Sequence, residues 1–193
     1  MNLVMLSGTH AAHHAPRPSL PAGDVLIHCG DLTHFGSFAE FKEEIAWLKS
    51  QPHAFKILIS GNHDTCLENL MTKDMEAELR RMLHPIVYLR DSGVTIGGIR
   101  FWGSPWIPPY AGAFNSDLEW RQAKFGAIPK VDVLITHGPP LGVLDDGIGC
   151  PALLSAVQRI KPRVHCFGHV HKSHGAIAPR YFNVATAPCR ITL

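Results

Sequence analysis

D-V-L-I-H-C-G-D, residues 24–31, fixes the fold class. Residues 25–28 form a short run without regular polar alternation, and the run ends in Gly30 and Asp31. A strand lacking alternation is covered on both faces, so its sheet needs a layer on either side. Four more runs share this grammar: residues 3–6, 55–60, 131–136 and 164–167, each followed by Gly, Asn, Asp or His. Between them lie amphipathic stretches. In residues 37–49, Phe38, Phe41, Ile45 and Leu48 recur at helical spacing, and Ser37 with Glu40 forms a capping box. Residues 72–83 repeat the pattern with Met75, Leu79 and Met82, and Pro151 opens a third helix over 152–160. Residues 94–102 alternate around Gly97-Gly98 and read as a hairpin, while 181–186 read as a closing strand. The sum is an α/β chain with helices outside a layered sheet, two sheets being expected. Residues 11–23, rich in Pro and His, are its one clear long loop.

The 193 residues, 46% hydrophobic, suffice for one substantial core and fall short of two ordinary domains, so a single domain over 1–193 is expected. No apolar run approaches the roughly 20 residues of a membrane span, and M-N-L-V-M-L lacks the basic start of a signal peptide, which points to a cytoplasmic protein without a membrane partner. Five cysteines without C-x-x-C spacing point to free thiols and away from a thiolate metal site. A net charge of +2 without a Lys/Arg stripe argues against a nucleic-acid partner and for a small substrate. Nothing in the sequence sets the oligomeric state.

The compositional anomaly is 13 histidines. Five of them (His10, His63, His137, His169 and His171) fall in short segments at strand ends: S-G-T-H (7–10), G-N-H-D (61–64), T-H-G (136–138) and G-H-V-H (168–171), joined by G-D (30–31). Strands fix the backbone while the loops behind them present side chains. The carboxylate of Asp31 has two oxygens and can bridge two ions. Asn62 offers a carbonyl oxygen, and His10, His137, His169 and His171 offer imidazole nitrogens. A nitrogen and oxygen set without thiolate suits Mn, Fe, Zn, Co or Ni better than Mg or Ca. Two such ions, about 3.5 to 4 Å apart, activate a water and clamp the attacking and leaving oxygens of an in-line displacement. His63, next to Asn62, is then placed at the leaving group, and Asp64 is the expected partner that holds its ring in one tautomer. Taken singly each residue has a plainer reading as a turn, cap or surface group. Their joint placement behind separate strands does not.

These segments resemble the calcineurin-like metallophosphoesterases, whose pattern is D-x-H, G-D, G-N-H-[DE], a later His and G-H-x-H. The stretches at 20–33, 132–142 and 164–171 are similar to the metallophosphoesterase-domain branch in particular. The resemblance implies a four-layer α/β/β/α sandwich. It implies a first metal on His10, Asp31 and His171, a second on Asp31, Asn62, His137 and His169, and His63 as the acid that assists departure. It also implies hydrolysis of phosphodiesters or phosphomonoesters, often nucleotides, by a hydroxide nucleophile.

The departure is Gly8, which stands where the pattern has its first Asp. The loss of that charged ligand predicts a weakened first metal and an attenuated enzyme; a sharp turn that simply prefers Gly is the plainer account. His13, three residues beyond His10, is a candidate compensator as ligand or phosphate contact, beside Asn62 and His63 on the substrate side. Residues 147–151 lead into a helix N-terminus, read as capping or as an anion site. Trp102, Trp106 and Tyr110 either pack a Pro-rich loop or stack a base, with Phe35 a comparable candidate. Two functional readings stand: a metal-dependent phosphodiesterase acting on small phosphodiesters such as cyclic nucleotides, and a nucleotide-binding or scaffold protein derived from one.

Overall fold

The computed structural model describes residues 1–12, 17–68 and 73–193. Along the chain lie β1 (Asn2–Leu6), β2 (Val25–Cys29), α1 (Phe38–Ser50), β3 (Phe55–Ile59), α2 (Thr65–Glu68), α3 (Lys73–Leu83) and β4 (Val87–Tyr88). There follow β5 (Ser92–Ile96), β6 (Ile99–Ser104), α4 (Leu118–Gly126), β7 (Val133–Thr136), α5 (Pro151–Ile160) and β8 (Val164–Phe167). The last elements are β9 (Gly175–Ile177), β10 (Tyr181–Asn183) and β11 (Cys189–Thr192).

The strands form two sheets, in the orders β11-β1-β2-β3-β4 and β5-β6-β7-β8-β10-β9. β1 to β4 are parallel, as are β6, β7, β8 and β10, and antiparallel strands close three of the edges. The central core lies between the sheets. Leu3 and Met5 of β1, Val25, Ile27 and Cys29 of β2, and Ile57 and Ile59 of β3 meet Phe101, Val133, Ile135, Val164 and Cys166 there. The intervening residues point outward: Val4, Leu6, Leu26 and Leu58 onto Phe41, Ile45 and Leu48 of α1 and Leu79 and Leu83 of α3. On the far side, Leu134 packs with Phe125 of α4 and Leu153, Val157 and Ile160 of α5. Both faces of the central strands of each sheet are thus buried, which is why those strands read as mainly apolar runs without alternation, and the result is a four-layer α/β/β/α sandwich.

Local signals hold where the chemistry is specific. Ser37 Oγ accepts from Glu40 N at 3.2 Å while the Glu40 carboxylate accepts from Ser37 N at 3.1 Å, completing the capping box. Pro151 occupies the first turn of α5, and the Gly97-Gly98 hairpin joins β5 to β6. Phe38 is the exception on the apolar face of α1, 42% exposed with the Lys42 ammonium 4.9 Å above its ring. The closing strand is a correction: 181–183 pair inside the second sheet, and Cys189–Thr192 returns to the first sheet beside β1. That edge strand alternates half-buried and exposed residues and carries no apolar run. α4 was not foreseen; its start rests on Asp117, whose side chain accepts from Trp120 N. All five thiols are free. Among the described residues no helix is long and apolar enough to cross a membrane.

His165, on β8, is fully buried and shares a 2.8 Å hydrogen bond with Thr136 Oγ1. Burial pushes its pKa down to about 3. Between pH 3 and 6.5 the unfolded chain therefore binds a proton that the native state refuses, so stability is fullest above pH 6.5 and falls as pH drops toward 3. Urea unfolding at pH 7 and pH 5 is expected to show the parent protein losing about 2 kcal/mol more than His165→Gln, which cannot titrate. Equal losses would show that His165 does not resist protonation.

Candidate metal centre

Every residue of the motif set follows the C-terminal end of a parallel strand, and the two sheets bring those ends to one place. The loops behind β1 and β2 stay paired beyond the ladder, with Gly8 N donating to Gly30 O at 3.0 Å and His10 N to Asp31 O at 3.1 Å. Across the sandwich, Gly168 N donates to His137 O at 2.8 Å. His10, Asp31 and His169 all have left-handed backbones (φ 47°, 57° and 66°), a conformation unfavourable for residues with a Cβ that concentrates at functional sites. Gly61 must be glycine for space: a Cβ there would run into the Asp31 carboxylate and lie 2.5 Å from His137 Cε1.

Asp31, Asn62, His137 and His169 converge. Asn62 Oδ1 lies 3.0 Å from His137 Nε2 and 2.9 Å from His169 Nδ1, and His137 Nε2 lies 3.4 Å from Asp31 Oδ1. The inward atoms are set by contacts on the outward side. His137 Nδ1 donates to Cys29 O at 2.8 Å, which turns Nε2 toward the site. Asn62 Nδ2 donates to Ala111 O at 3.0 Å, which turns Oδ1 inward. Burial alone would raise the Asp31 pKa, but His137 beside it, with hydrogen bonds from His137 and the His63 backbone, holds it well below the usual carboxylate range. Burial in turn would lower His137, and Asp31 holds it up. Burial lowers His169 to about 3, so its ring is neutral.

The other oxygen of Asp31 faces a second group. Oδ2 lies 4.0 Å from His10 Nε2, which is 3.4 Å from His171 Nε2. Burial lowers His10 to about 4. One carboxylate thus has an oxygen toward each cluster, the arrangement a shared ligand of two ions requires. Imidazole nitrogens, an oriented carboxamide and a charged carboxylate fit a pair of divalent transition ions. At Gly8 the backbone has φ 67°; a Cβ would lie 3.3 Å from His171 Nε2 and 3.5 Å from His10 Nε2, but only 2.5 Å from Ala185 O. A side chain at this position would therefore point between the two imidazoles, and the left-handed turn obstructs it.

His63 faces the same cavity, a space of about 370 Å³ also lined by Tyr110, Asp146, Ile148 and Lys172. Its ring is not held by Asp64. The Asp64 carboxylate instead accepts from Thr33 N, Thr33 Oγ1 and Gly61 N at 2.8–2.9 Å, pinning the loops behind β2 and β3. The ring is held by the His34 carbonyl, 2.8 Å from Nδ1. A carbonyl can only accept, so Nδ1 carries the hydrogen and Nε2 is the nitrogen that remains.

His13 lies outside the described residues. Of the aromatic candidates only Tyr110 lines the cavity, edge-on to His169 with ring centroids 4.7 Å apart; Trp102 and Trp106 pack in the outer core, where Trp106 Nε1 donates to Asp91. Phe35 is 71% exposed beside the His34 ring. The loop before α5 is tied internally, with Asp145 accepting from Gly142 N and Gly149 N. His34 was not singled out by the sequence, because no spacing ties it to the other segments. It joins His10 and His63 in a three-histidine group.

Residues 9–173 match the sequence profile described as calcineurin-like phosphoesterase. Human metallophosphoesterase domain-containing protein 1 is 38% identical over 204 residues, which cover 91% of this chain and 62% of that protein. The chain thus spans about three fifths of that relative's length. The UPF0046 protein C25E10.12 of Caenorhabditis elegans is 39% identical over 91% of this chain and 70% of its own. The crystal structure of TT1561 of Thermus thermophilus superposes with a TM-score of 0.61 at 11% identity, covering 87% of this chain and 81% of that one, and so shares the fold.

The turn at Gly8 makes a stability prediction. In metal-free protein, Gly8→Asp is expected to cost about 1–3 kcal/mol, the usual range for a strained backbone, measured by urea unfolding. Added Mn²⁺ is expected to narrow the gap, because a carboxylate between His10 and His171 joins the site and binding favours the folded state. A variant as stable as the parent without metal would show that the turn relaxes freely.

Proposed function

We propose that this chain, which belongs to the calcineurin-like phosphoesterase family, is a metal-dependent hydrolase of small phosphodiesters, cyclic nucleotides among them, with its first metal position weakened by Gly8. The observation that carries this reading is Asp31, whose two oxygens face two separate groups of metal-ligating atoms. Two divalent ions, when bound, would supply an activated water and charge stabilisation for the displacement. The chain's own residues do the rest. Asp31, Asn62, His137 and His169 hold one position, and His10, His171 and the shared Asp31 hold the other. Asn62 is kept in orientation by the Ala111 carbonyl, and His63 by the His34 carbonyl. With Nδ1 anchored, a protonated His63 presents its Nε2 proton to the cavity, where it can pass to the oxygen of the departing group.

A cavity of about 370 Å³ is of small-ligand size, and Tyr110, 57% exposed beside His169, offers a ring at its mouth for a base. Gly8 supports the attenuation: the missing side chain is the one that would point between His10 and His171. The same glycine favours a second reading, a phosphate-binding protein with little turnover.

The test is hydrolysis of bis(p-nitrophenyl) phosphate. Chelation is expected to abolish it and Mn²⁺ to restore it, while His63→Ala lowers kcat by about 10²–10⁴-fold in the metal-loaded protein. Turnover indifferent to chelator would end the metal-dependent reading. Binding of the ester without metal-restored turnover would select the second.

A further inference from the structure

His10 belongs to two groups at once. Its ring faces His171 and Asp31 on one side, and on the other it meets His63, edge to face with centroids 4.6 Å apart, and His34 at 5.8 Å. One nitrogen from each of His10, His34 and His63 lies within 4.8 Å of the other two. Donors on a single ion with bonds of about 2.1 Å stand about 3–4 Å apart, so closure asks for roughly an ångström of side-chain movement. His34 is half-buried on the loop behind β2, three residues past Asp31, and its carbonyl already fixes the partner ring: with Nδ1 of His63 donating there, the lone pair of neutral His63 is on Nε2.

We propose that His34 is a metal ligand, completing with His10 and His63 a three-imidazole site for a late first-row divalent ion such as Zn²⁺ or Ni²⁺. Three imidazole nitrogens without a carboxylate select such ions over Mn²⁺ or Mg²⁺. Because His10 is shared, this site competes with the position formed by His10, Asp31 and His171. Gly8 tilts the competition, since the carboxylate that would strengthen that position is not there. Occupancy also engages His63 Nε2, so an ion bound here and a phosphoester leaving group compete for one atom. The inference rests on the hydrolase reading for that last consequence alone.

The experiment is calorimetric titration of metal-stripped protein with Zn²⁺ and with Mn²⁺, comparing the parent with His34→Ala and with His34→Gln, which keeps more of the side-chain bulk; circular dichroism checks the fold of each. Both variants are expected to lose tenfold or more in Zn²⁺ affinity at one site and to leave the Mn²⁺ isotherm unchanged. Superimposable Zn²⁺ isotherms in folded variants would overturn the assignment, as would equal losses for both ions. Binding is read without turnover, so the two proposals fail separately: a protein that hydrolyses nothing yet shows the selective Zn²⁺ loss refutes the hydrolase reading and supports the His34 site. An active protein with unchanged isotherms does the reverse.

Discussion

A carboxylate 2% exposed keeps its charge only where other groups replace the water it has lost, and Asp31 draws those groups from three loops. The His63 backbone N–H, behind β3, donates to Oδ1 at 3.0 Å; the His137 ring, behind β7, stands 3.4 Å from the same oxygen; His10, behind β1, faces the other. Two of these loops come from one sheet and the third from its neighbour. The sheets must therefore stack with the ends of β1, β2 and β3 against the ends of β7 and β8. The core between them, from Leu3 and Ile27 to Ile135 and Cys166, serves as the spacer that sets this distance. A close pass without room for a Cβ at Gly61 and a left-handed turn at Asp31 itself are the local costs of bringing the loops so near.

Much of this was legible in the sequence because the signals are local. A strand buried on both faces shows as an apolar run, a capping box as Ser and Glu three apart, and a ligand at a strand end as His, Asn or Asp behind that run. Asp31, Asn62, His137 and His169 converge, and His10 and His171 stand on the other side of Asp31. What escaped was set by tertiary contact. Cys189–Thr192 reads as nothing in particular until β1 offers it an edge. Asp64 sits next to His63 in sequence, which suggested it as the ring's partner, yet its side chain turns back to Thr33 and Gly61. His34 bears no motif spacing and joins His10 and His63 only because the loop behind β2 folds over the site.

Gly8 shows how one position carries two constraints that sequence comparison cannot separate. As a residue without a carboxylate it bears on the proposed first metal position. As a backbone at φ 67° beneath the Ala185 carbonyl it speaks of chain path, and a second cavity of about 380 Å³, bordered by Gly8, Arg17, Pro18 and the 185–188 segment, opens behind it. The two meanings are linked through the loop after β10: whatever moves Ala185 alters both the room at position 8 and the surroundings of His171.

The anchoring of His63 by a peptide carbonyl, where a side-chain carboxylate was expected, has an evolutionary side. A carboxylate partner can be lost by one substitution, and the working tautomer with it. A main-chain partner is present whatever residue stands at position 34, so the side chain there can serve another role without disturbing its neighbour. The vulnerability moves from chemical identity to loop shape, to places such as Gly36, where φ is 72° and a Cβ would lie 2.8 Å from His63 O. The orientation of His63 thus depends on the course of the backbone as much as on the catalogue of side chains.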